Sequence, residues 1–595
     1  MSRDPDDSRL APPGPFHESC YVAARDGTRL AVFLFRPAES GRPVARPLPV
    51  VWTHNRYHAQ GAAPERVRAW EEHLPWLNPA ASQPPVSSVS LDDTPWLGEL
   101  VDNGYVVAIV DARGSGASFG TRSGPLSPDE ARDAYDLTEW FASQPWCDGA
   151  VGMFGRSYMG TNQMFAAAAP SPHLRAVFPE MALFDLYTFV YSGGVFRHDF
   201  ARSWSRDVAR RDREDPAVRV GGDPSGALLA EARAVHAFNR DTYGMFANLP
   251  HRDSTDLESG ERSYDLRNPA YDGHALRTPK IPVYLLAGWY DPFVRDAFAW
   301  FVNTPGVRRL VVGPWAHTGN LGFDLAAEHL RWYDRWLKGA PDPIEDEAPL
   351  HFYVIGAPEG ERWRAAWSWP LPEARPLDLY LCAGPTGTVR SCNDGLLGSA
   401  PPKGEAVDEY RVDYTATSGT ASRWTNAYGG PFGYRDLLSN DEKGLTYTTG
   451  ALEADLNVVG HPVAHVWVSS SAEDLDLFAF LEEVGPDGAV RYASEGVLRA
   501  SHRALATPPF LLPGGVPFHR SGAGDVAPLP RHPVELVFDL HPIARRFPRG
   551  HRVRLTLTCA DRDNALTPES PEPPLVRIHR GEQTPTRLVL PVVPG

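Results

Sequence analysis

The chain has 595 residues, 42% hydrophobic and 22% charged, and its 58 Lys and Arg against 74 Asp and Glu give a formal net charge of -16. That length exceeds one ordinary domain and implies about two to four. The negative balance, with no dense Lys/Arg block, argues against nucleic acid or an anionic membrane surface as a partner, and no apolar run reaches the ~20 residues that cross a bilayer.

From Tyr21 the pattern is strand-like: YVAARDG, a turn, then LAVFLFRPA. LPVVWTHN and YVVAIVDARG follow as buried-strand runs. ARDAYDLTEWFASQ then places Ala131, Ala134, Leu137 and Phe141 at helical spacing and stops near Pro145. VGMFGRS is a further strand, YMGTNQMFAAAAP a helix ended by proline, and LRAVFPEMA a strand again. Strands alternating with helices in this order predict a parallel sheet covered on both faces.

Between about Leu183 and Ala275 aromatics and arginines mix with helical stretches such as SGALLAEARAVHAFNR, and no clear strand is predicted. This reads as a helical insertion lying over the sheet. IPVYLLAGWYD and RRLVVGPWAHT restore the strand signal, and LAAEHLRWYDRWLKG is an amphipathic helix. Beyond WSWPLPEARP short alternating segments dominate, among them PLDLYLC, AHVWVSSSA, VELVFDL and HRVRLTLTC. Such segments, separated by turn residues, predict an all-β sandwich or jelly roll. The predicted organisation is an α/β-hydrolase core over 1–182 and 276–368, a helical cap over 183–275 and a jelly roll over 369–595.

The five cysteines, Cys20, Cys147, Cys382, Cys392 and Cys559, are scattered and odd in number, with no CxxC pair. That pattern predicts neither a disulfide framework nor a zinc site. The acidic, proline-rich start MSRDPDDSRLAPPGPF is the opposite of a signal peptide, so the chain reads as soluble and cytoplasmic.

The central chemical signal is Gly155-Arg156-Ser157-Tyr158-Met159-Gly160 between a predicted strand and a predicted helix. The second glycine stands one place later than in G-x-S-x-G, yet the strand-turn-helix setting is that of a nucleophile elbow. The helix beginning there would aim its N-terminal amides at a developing oxyanion. The competing reading is an ordinary glycine-bounded turn with a surface serine. A serine hydroxyl needs a base, and the base an orienting acid, in the order Ser, Asp or Glu, His along this fold class. Asp291 follows the strand VYLLAGWY and His317 follows RRLVVGPWA, each the first titratable side chain past a buried strand. Taken singly, Asp291 also fits a helix N-cap and His317 a solvated loop residue. All three at strand ends, in the required order, favour a triad. Tyr57, directly after LPVVWTHN, offers a phenol hydroxyl at the same sheet edge, with the Tyr158 N–H as the second oxyanion donor. The alternative for Tyr57 is a packing residue at the mouth of the insertion.

WTHNRY, DARGSGAS with EARDAYDLTEW, WCDGAVGMFGRSYMG, AGWYDPF and GPWAH together resemble the cocaine-esterase-like hydrolases, relatives of X-prolyl dipeptidyl aminopeptidases and α-amino-acid ester hydrolases. VWVSSSAEDLDLFAFLEEVGPDG and ARRFPRGHRVRLTLT extend the resemblance through the C-terminal region. The resemblance implies Ser157, Asp291 and His317 as triad, Tyr57 as oxyanion-hole tyrosine, and Phe293, Phe189 and Trp204 as walls of an apolar acyl pocket. Phe189 and Trp204 read equally as core aromatics of a cap. Arg56 departs from the family, which usually has proline before that tyrosine.

The expected reaction is hydrolysis of a small-molecule ester or amide without metal or cofactor; a homodimer is the one protein partnership considered. Two competing activities, release of X-Pro dipeptides and hydrolysis of α-amino acyl esters or amides, need a carboxylate for the substrate's ammonium group. Asp92, Asp93, Asp199 and Asp207 are among the candidates, though each also reads as a solvated side chain. A different class of reading is a jelly-roll carbohydrate- or protein-binding protein without catalysis. DARGSGASFG lacks the rest of a dinucleotide fingerprint and reads as a loop near the active-site edge.

Overall fold

A computed structural model describes residues 15–57 and 95–594, apart from short breaks at 170, 270, 273–274, 277–278, 321 and 436. The N-terminal stretch, Asp92 and Asp93, and Pro170 lie outside the described residues.

The core is a ten-stranded sheet. Its strands are β1 (Phe16–Ala23), β2 (Arg29–Arg36), β3 (Leu48–Asn55), β4 (Val106–Asp111) and β5 (Cys147–Arg156). They continue with β6 (Leu174–Glu180), β7 (Val283–Gly288), β8 (Arg308–Gly313), β9 (Leu350–Tyr353) and β10 (Trp363–Ala366). The spatial order is β1-β2-β4-β3-β5-β6-β7-β8-β9-β10. From β4 to β9 every pairing is parallel, and β3, β4 and β7 are buried along their whole length. Burial on both faces is why these strands read as unbroken apolar runs.

The predicted parallel sheet needs one correction. β1 pairs antiparallel with β2, β2 with β4, and β9 with β10. The turn between β1 and β2, with Gly27 at φ 84, is far too short for the crossover that parallel neighbours require.

The helices that position the site are α1 (Pro95–Asp102), α2 (Pro128–Ala142), α3 (Tyr158–Ala168), α4 (Leu186–Val190) and α5 (His198–Arg213). α6 (Ala227–His236), α7 (Thr242–Ala247) and α8 (Ser263–Leu266) complete the insertion. α9 (Val294–Asn303) and α10 (Leu325–Trp336) follow β7 and β8. α2 starts in a capping box, Ser127 accepting from the Glu130 N–H and Glu130 from the Ser127 N–H, with Pro128 in its first turn. The insertion also holds two short antiparallel ribbons, Tyr191–Ser192 with Val195–Phe196 and Tyr271–Asp272 with Ala275–Leu276, where no strand was expected. At two residues a strand they are too short to show alternation in the sequence.

Beyond the core, strands from Arg375–Cys382 to Arg587–Val593 form a thirteen-stranded sheet system. Its pairings are antiparallel except between Asn393–Gly398 and Leu445–Thr448. Alternating residues such as Ala464, Val466 and Val468 fill its own apolar core. A short helical turn of this domain, Arg423–Asn426, reaches back to the catalytic core. The five cysteines are free thiols; Cys382 and Cys392 direct their Sγ atoms to backbone carbonyls. No helix among the described residues is long and apolar enough to cross a membrane.

Candidate active site

Ser157 sits between the last residue of β5 and the first of α3, with φ 62 and ψ -121. For a non-glycine residue this is a strained conformation, worth roughly 1–3 kcal/mol, that persists where the surroundings enforce it. Here they do: the Ser157 N–H donates to Glu180 O at 2.9 Å, extending the β5–β6 ladder, and Ser157 O accepts the Thr161 N–H at 2.8 Å. The displaced second glycine has a reason. A Cβ on Gly160 would lie 2.6 Å from Glu180 O, so glycine is needed there for α3 to lie against the end of β6.

Asp291 and His317 leave neighbouring parallel strands at the same level, since Gly288 of β7 pairs with Gly313 of β8. Trp315 folds back over both strand ends: a Cβ on Gly288 would meet its carbonyl at 2.2 Å, and one on Gly313 its indole at 2.3 Å. This fold-back brings the two loops together. His317 Nδ1 lies 2.9 Å from Asp291 Oδ1, and both side chains are buried. With Nδ1–H donating to the Asp291 carboxylate, Nε2 keeps its lone pair. The helix-cap alternative for Asp291 therefore gives way to a carboxylate aimed at histidine, and His317, 5% exposed, is no solvated loop residue.

A pocket of about 50 Å³ opens beside Ser157. Phe189, Trp204 and Phe293, the three predicted wall residues, all line it, together with Tyr57 and Tyr158. Phe293 also packs edge-on against the His317 ring at 5.4 Å, which places the histidine behind that wall. Sequence reasoning missed Leu183, Leu186, Phe200 and Phe246. Phe200 stands one helical turn before Trp204 on α5, a spacing that signalled a shared face, whereas Phe246 on α7 carried no such signal. None of the described lining residues is acidic. Asp207 pairs instead with Arg210 and Arg211 on α5, and Asp199 does not line the pocket.

Tyr57 packs against Tyr158 at 6.4 Å, and its hydroxyl accepts the Trp204 indole N–H at 3.0 Å. As an acceptor there, it keeps its own proton for a second partner. Burial pushes the phenol up, so it stays a donor. Packing and polar roles thus coexist in this side chain. Arg56, where the resemblance implied proline, is fully buried and bidentate on Asp212 of α5 at 2.8 and 3.1 Å. Arg122 pairs with the same carboxylate. An ion-pair cluster therefore holds the residue before Tyr57 to the cap helix that carries Trp204.

Tyr158 is anchored from behind: its hydroxyl donates to Glu130 at 2.8 Å and accepts the Leu126 N–H at 2.7 Å. The capping carboxylate of α2 therefore also fixes the residue after Ser157. The side chain before Ser157 is tied as well. Arg156 pairs with Glu180 at 2.7 Å and donates to His317 O at 3.4 Å and Asn320 Oδ1 at 3.1 Å. In the DARGSGAS loop, Arg113 pairs with Asp133 of α2 and Ser118 O accepts from His236 Nε2 of α6 at 2.7 Å, so the loop braces core against cap. Among the described residues no group of three His, Cys, Asp or Glu side chains is arranged to hold a metal.

Comparison with known proteins places the chain in a family. The profile of the X-Pro dipeptidyl-peptidase (S15 family) matches residues 26–319, and that of the X-Pro dipeptidyl-peptidase C-terminal non-catalytic domain matches residues 343–589. A Mycobacterium bovis protein named as a serine esterase is 33% identical over 99% of this chain and 97% of its own length. Cocaine esterase from Rhodococcus is 30% identical over 96% of this chain and 97% of its own. Among solved structures, a CocE/NonD family hydrolase from Staphylococcus aureus superposes with a TM-score of 0.69 at 21% identity, covering 97% of this chain and 93% of that one. An α-amino acid ester hydrolase gives a TM-score of 0.68 at 21% identity, covering 100% of both chains. These two share the fold, an α/β hydrolase with a β-rich C-terminal domain. The chain belongs to the S15 family of serine hydrolases, the family of the X-Pro dipeptidyl-peptidases, with cocaine esterase among its relatives.

Proposed function

We propose that the protein is a carboxylic-ester hydrolase for small molecules with an apolar, aromatic-sized acyl group, working through an acyl-enzyme on Ser157. The observation that carries this reading is the buried His317–Asp291 hydrogen bond behind the aromatic wall of the pocket that Ser157 lines. In the first step His317 Nε2 takes the hydroxyl proton as Ser157 Oγ attacks the carbonyl carbon. The developing oxyanion accepts hydrogen bonds from the Tyr57 O–H and the Tyr158 N–H. The protonated His317 then gives its proton to the leaving alkoxide, and water repeats the sequence on the acyl-enzyme. Asp291 holds the tautomer and stabilises the imidazolium.

Ester is favoured over X-Pro peptide or α-amino acyl substrates because the described pocket wall has no carboxylate for an ammonium group. The relative named cocaine esterase supports the same preference. The free thiols favour a reducing, cytoplasmic setting. The test is a comparison of a p-nitrophenyl aryl ester with an X-Pro-p-nitroanilide. The ester should be preferred in kcat/KM by at least about a hundredfold, and Ser157→Ala should lower its kcat by about 10⁵–10⁶ while leaving the fold intact. Preference for the anilide would overturn the ester reading. A wild-type Ser157 left unlabelled by a fluorophosphonate probe would overturn catalysis itself and favour a binding protein.

A further inference from the structure

We infer that the C-terminal domain positions the acid and the base through one helical turn, Arg423–Asn426, whose Arg423 and Asn426 side chains hold the Asp291 and His317 loops; this rests on the reading of those two residues as acid and base. The turn is itself fixed within its own domain. Ser422 is its N-cap in a box with Thr425, and Asn564, far along the chain, accepts the Ser422 hydroxyl at 2.6 Å. So anchored, it presents its first and last residues to the catalytic core. Arg423, wholly buried, donates from Nη1 to Asp291 O at 3.3 Å and from Nη2 to Trp289 O at 3.5 Å, while Tyr492 OH fixes the same nitrogen at 2.7 Å. Asn426, also wholly buried, accepts the Thr318 N–H at 3.1 Å and donates from Nδ2 to Thr318 Oγ1 at 3.1 Å.

The Asp291 O and Thr318 N–H contacts fall on the backbone of a proposed reacting residue and of an immediate neighbour, and they come from one turn. The separation of the Asp291 and His317 loops is thereby referred to a single external gauge. Trp424, between the two, donates its indole N–H to Glu495 at 2.6 Å and lies 6.1 Å from the pocket wall at Phe189, so the turn cannot shift without meeting the pocket. Burial makes these contacts specific, because water cannot replace a lost partner: an alanine at 426 leaves the Thr318 N–H without its acceptor. Asn426 and Arg423 are positioning residues, acting on the reaction only through the loops they hold.

The experiment measures kcat, KM, the rate of fluorophosphonate inactivation and Tm for Asn426→Ala, Asn426→Asp and a control, Asn457→Ala, a buried asparagine of the same domain that accepts from Arg546 at 3.1 Å. Asn426→Ala is expected to lower kcat and the inactivation rate together by about 10- to 100-fold, the scale of a slightly misplaced catalytic group, with KM within about twofold. Asn426→Asp keeps the acceptor for the Thr318 N–H but loses the Nδ2 donor to Gly430 O at 2.9 Å, and should recover part of the lost kcat while lowering Tm. Asn457→Ala should lower Tm and leave kcat alone. Equal loss of Tm in both alanine variants with wild-type kcat in both would overturn the inference and leave the turn a purely structural contact. Should Asn426→Ala fail to fold, Arg423→Lys replaces it, and a wild-type kcat there overturns the inference equally. A wild-type enzyme that is not labelled at Ser157 would instead sink the underlying reading of the site.

Discussion

The pocket beside Ser157 and the larger cavity on the other side of Phe189 differ in charge: the first has no charged side chain among its described lining, whereas the second mixes aromatics with charged groups. Both are lined by Phe189, but the first has walls such as Leu183, Leu186, Phe200 and Phe246. The second, about 110 Å³, lies among cap, core and C-terminal domain and gathers Arg197, Arg295, Asp296, Glu495, Asp539 and His541. Its charges are largely engaged in joining segments: Arg295 pairs with Asp539 at 3.0 Å, and Arg197 stacks on Trp424 at 3.8 Å. The contrast teaches where this fold can tolerate buried charge. An ion pair taken out of water needs a partner of good geometry, and the places where three segments meet supply partners from several directions. The pocket wall, left to aromatic and aliphatic side chains, is then free of groups that would demand a charged substrate.

Removing a charge from behind the pocket is the most disruptive way to break this arrangement. Arg56→Ala leaves Asp212 with half its compensation and should cost about 3–5 kcal/mol of stability by denaturant unfolding. An unchanged unfolding midpoint would show that the Arg56–Asp212 pair does not hold the Tyr57 loop to α5.

Within the pocket the proposed oxyanion donor is the Tyr57 hydroxyl. Tyr57→Phe keeps the ring and removes the donor, and should lower kcat by about 10²–10³ at little cost in KM. A loss confined to KM would mean that the hydroxyl binds substrate rather than the oxyanion.

Phe189 is the partition between the two spaces. Phe189→Ala should reduce kcat/KM for a bulky aryl ester by about 10- to 200-fold, and acetyl esters much less. Equal losses on both substrates would point to a collapsed cap in place of a lost wall.

The smallest effect lies on the charged side. Asp296 accepts the Phe184 and Asp185 N–H groups at 2.7 and 3.0 Å, yet burial pushes its carboxyl up to about 7. A carboxyl raised in the folded state holds its proton longer there than in the unfolded chain. Stability therefore falls as pH rises from about 4 to about 7 and then levels off, as far as this group is concerned. Asp296→Asn, which keeps an acceptor oxygen, should gain on the wild type across that window by roughly 2–4 °C in Tm. A constant difference between pH 5 and 8 would show that Asp296 ionises normally.

Much of the reacting centre was legible because it lies at the ends of continuous buried strands. Ser157 was found in a glycine-bounded turn between strand and helix, and Asp291 and His317 each as the first titratable side chain after an apolar run; a run buried on both faces is the clearest signal a parallel strand leaves. Tyr57 was found by its place directly after a buried strand, but its bond to Trp204 was not, because the two lie 147 residues apart and meet only in the folded chain. The antiparallel edge at β1 and β2 was not foreseen because an apolar run does not record the direction of its neighbour, and β9 and β10, four residues each, were not read as strands.

The sequence by itself determined the order of elements, the strand-to-helix turn at Ser157, the strand-end positions of Asp291 and His317, and the alternating character of the C-terminal domain, since each depends on residues close together in the chain. The tertiary structure decided which aromatics share the pocket, that Arg56 pairs with Asp212, and that Arg423 and Asn426 meet the Asp291 and His317 loops from more than a hundred residues away. Local periodicity reports how a segment buries its own faces. Which segments then meet depends on how domains pack, and no single stretch of residues contains that information.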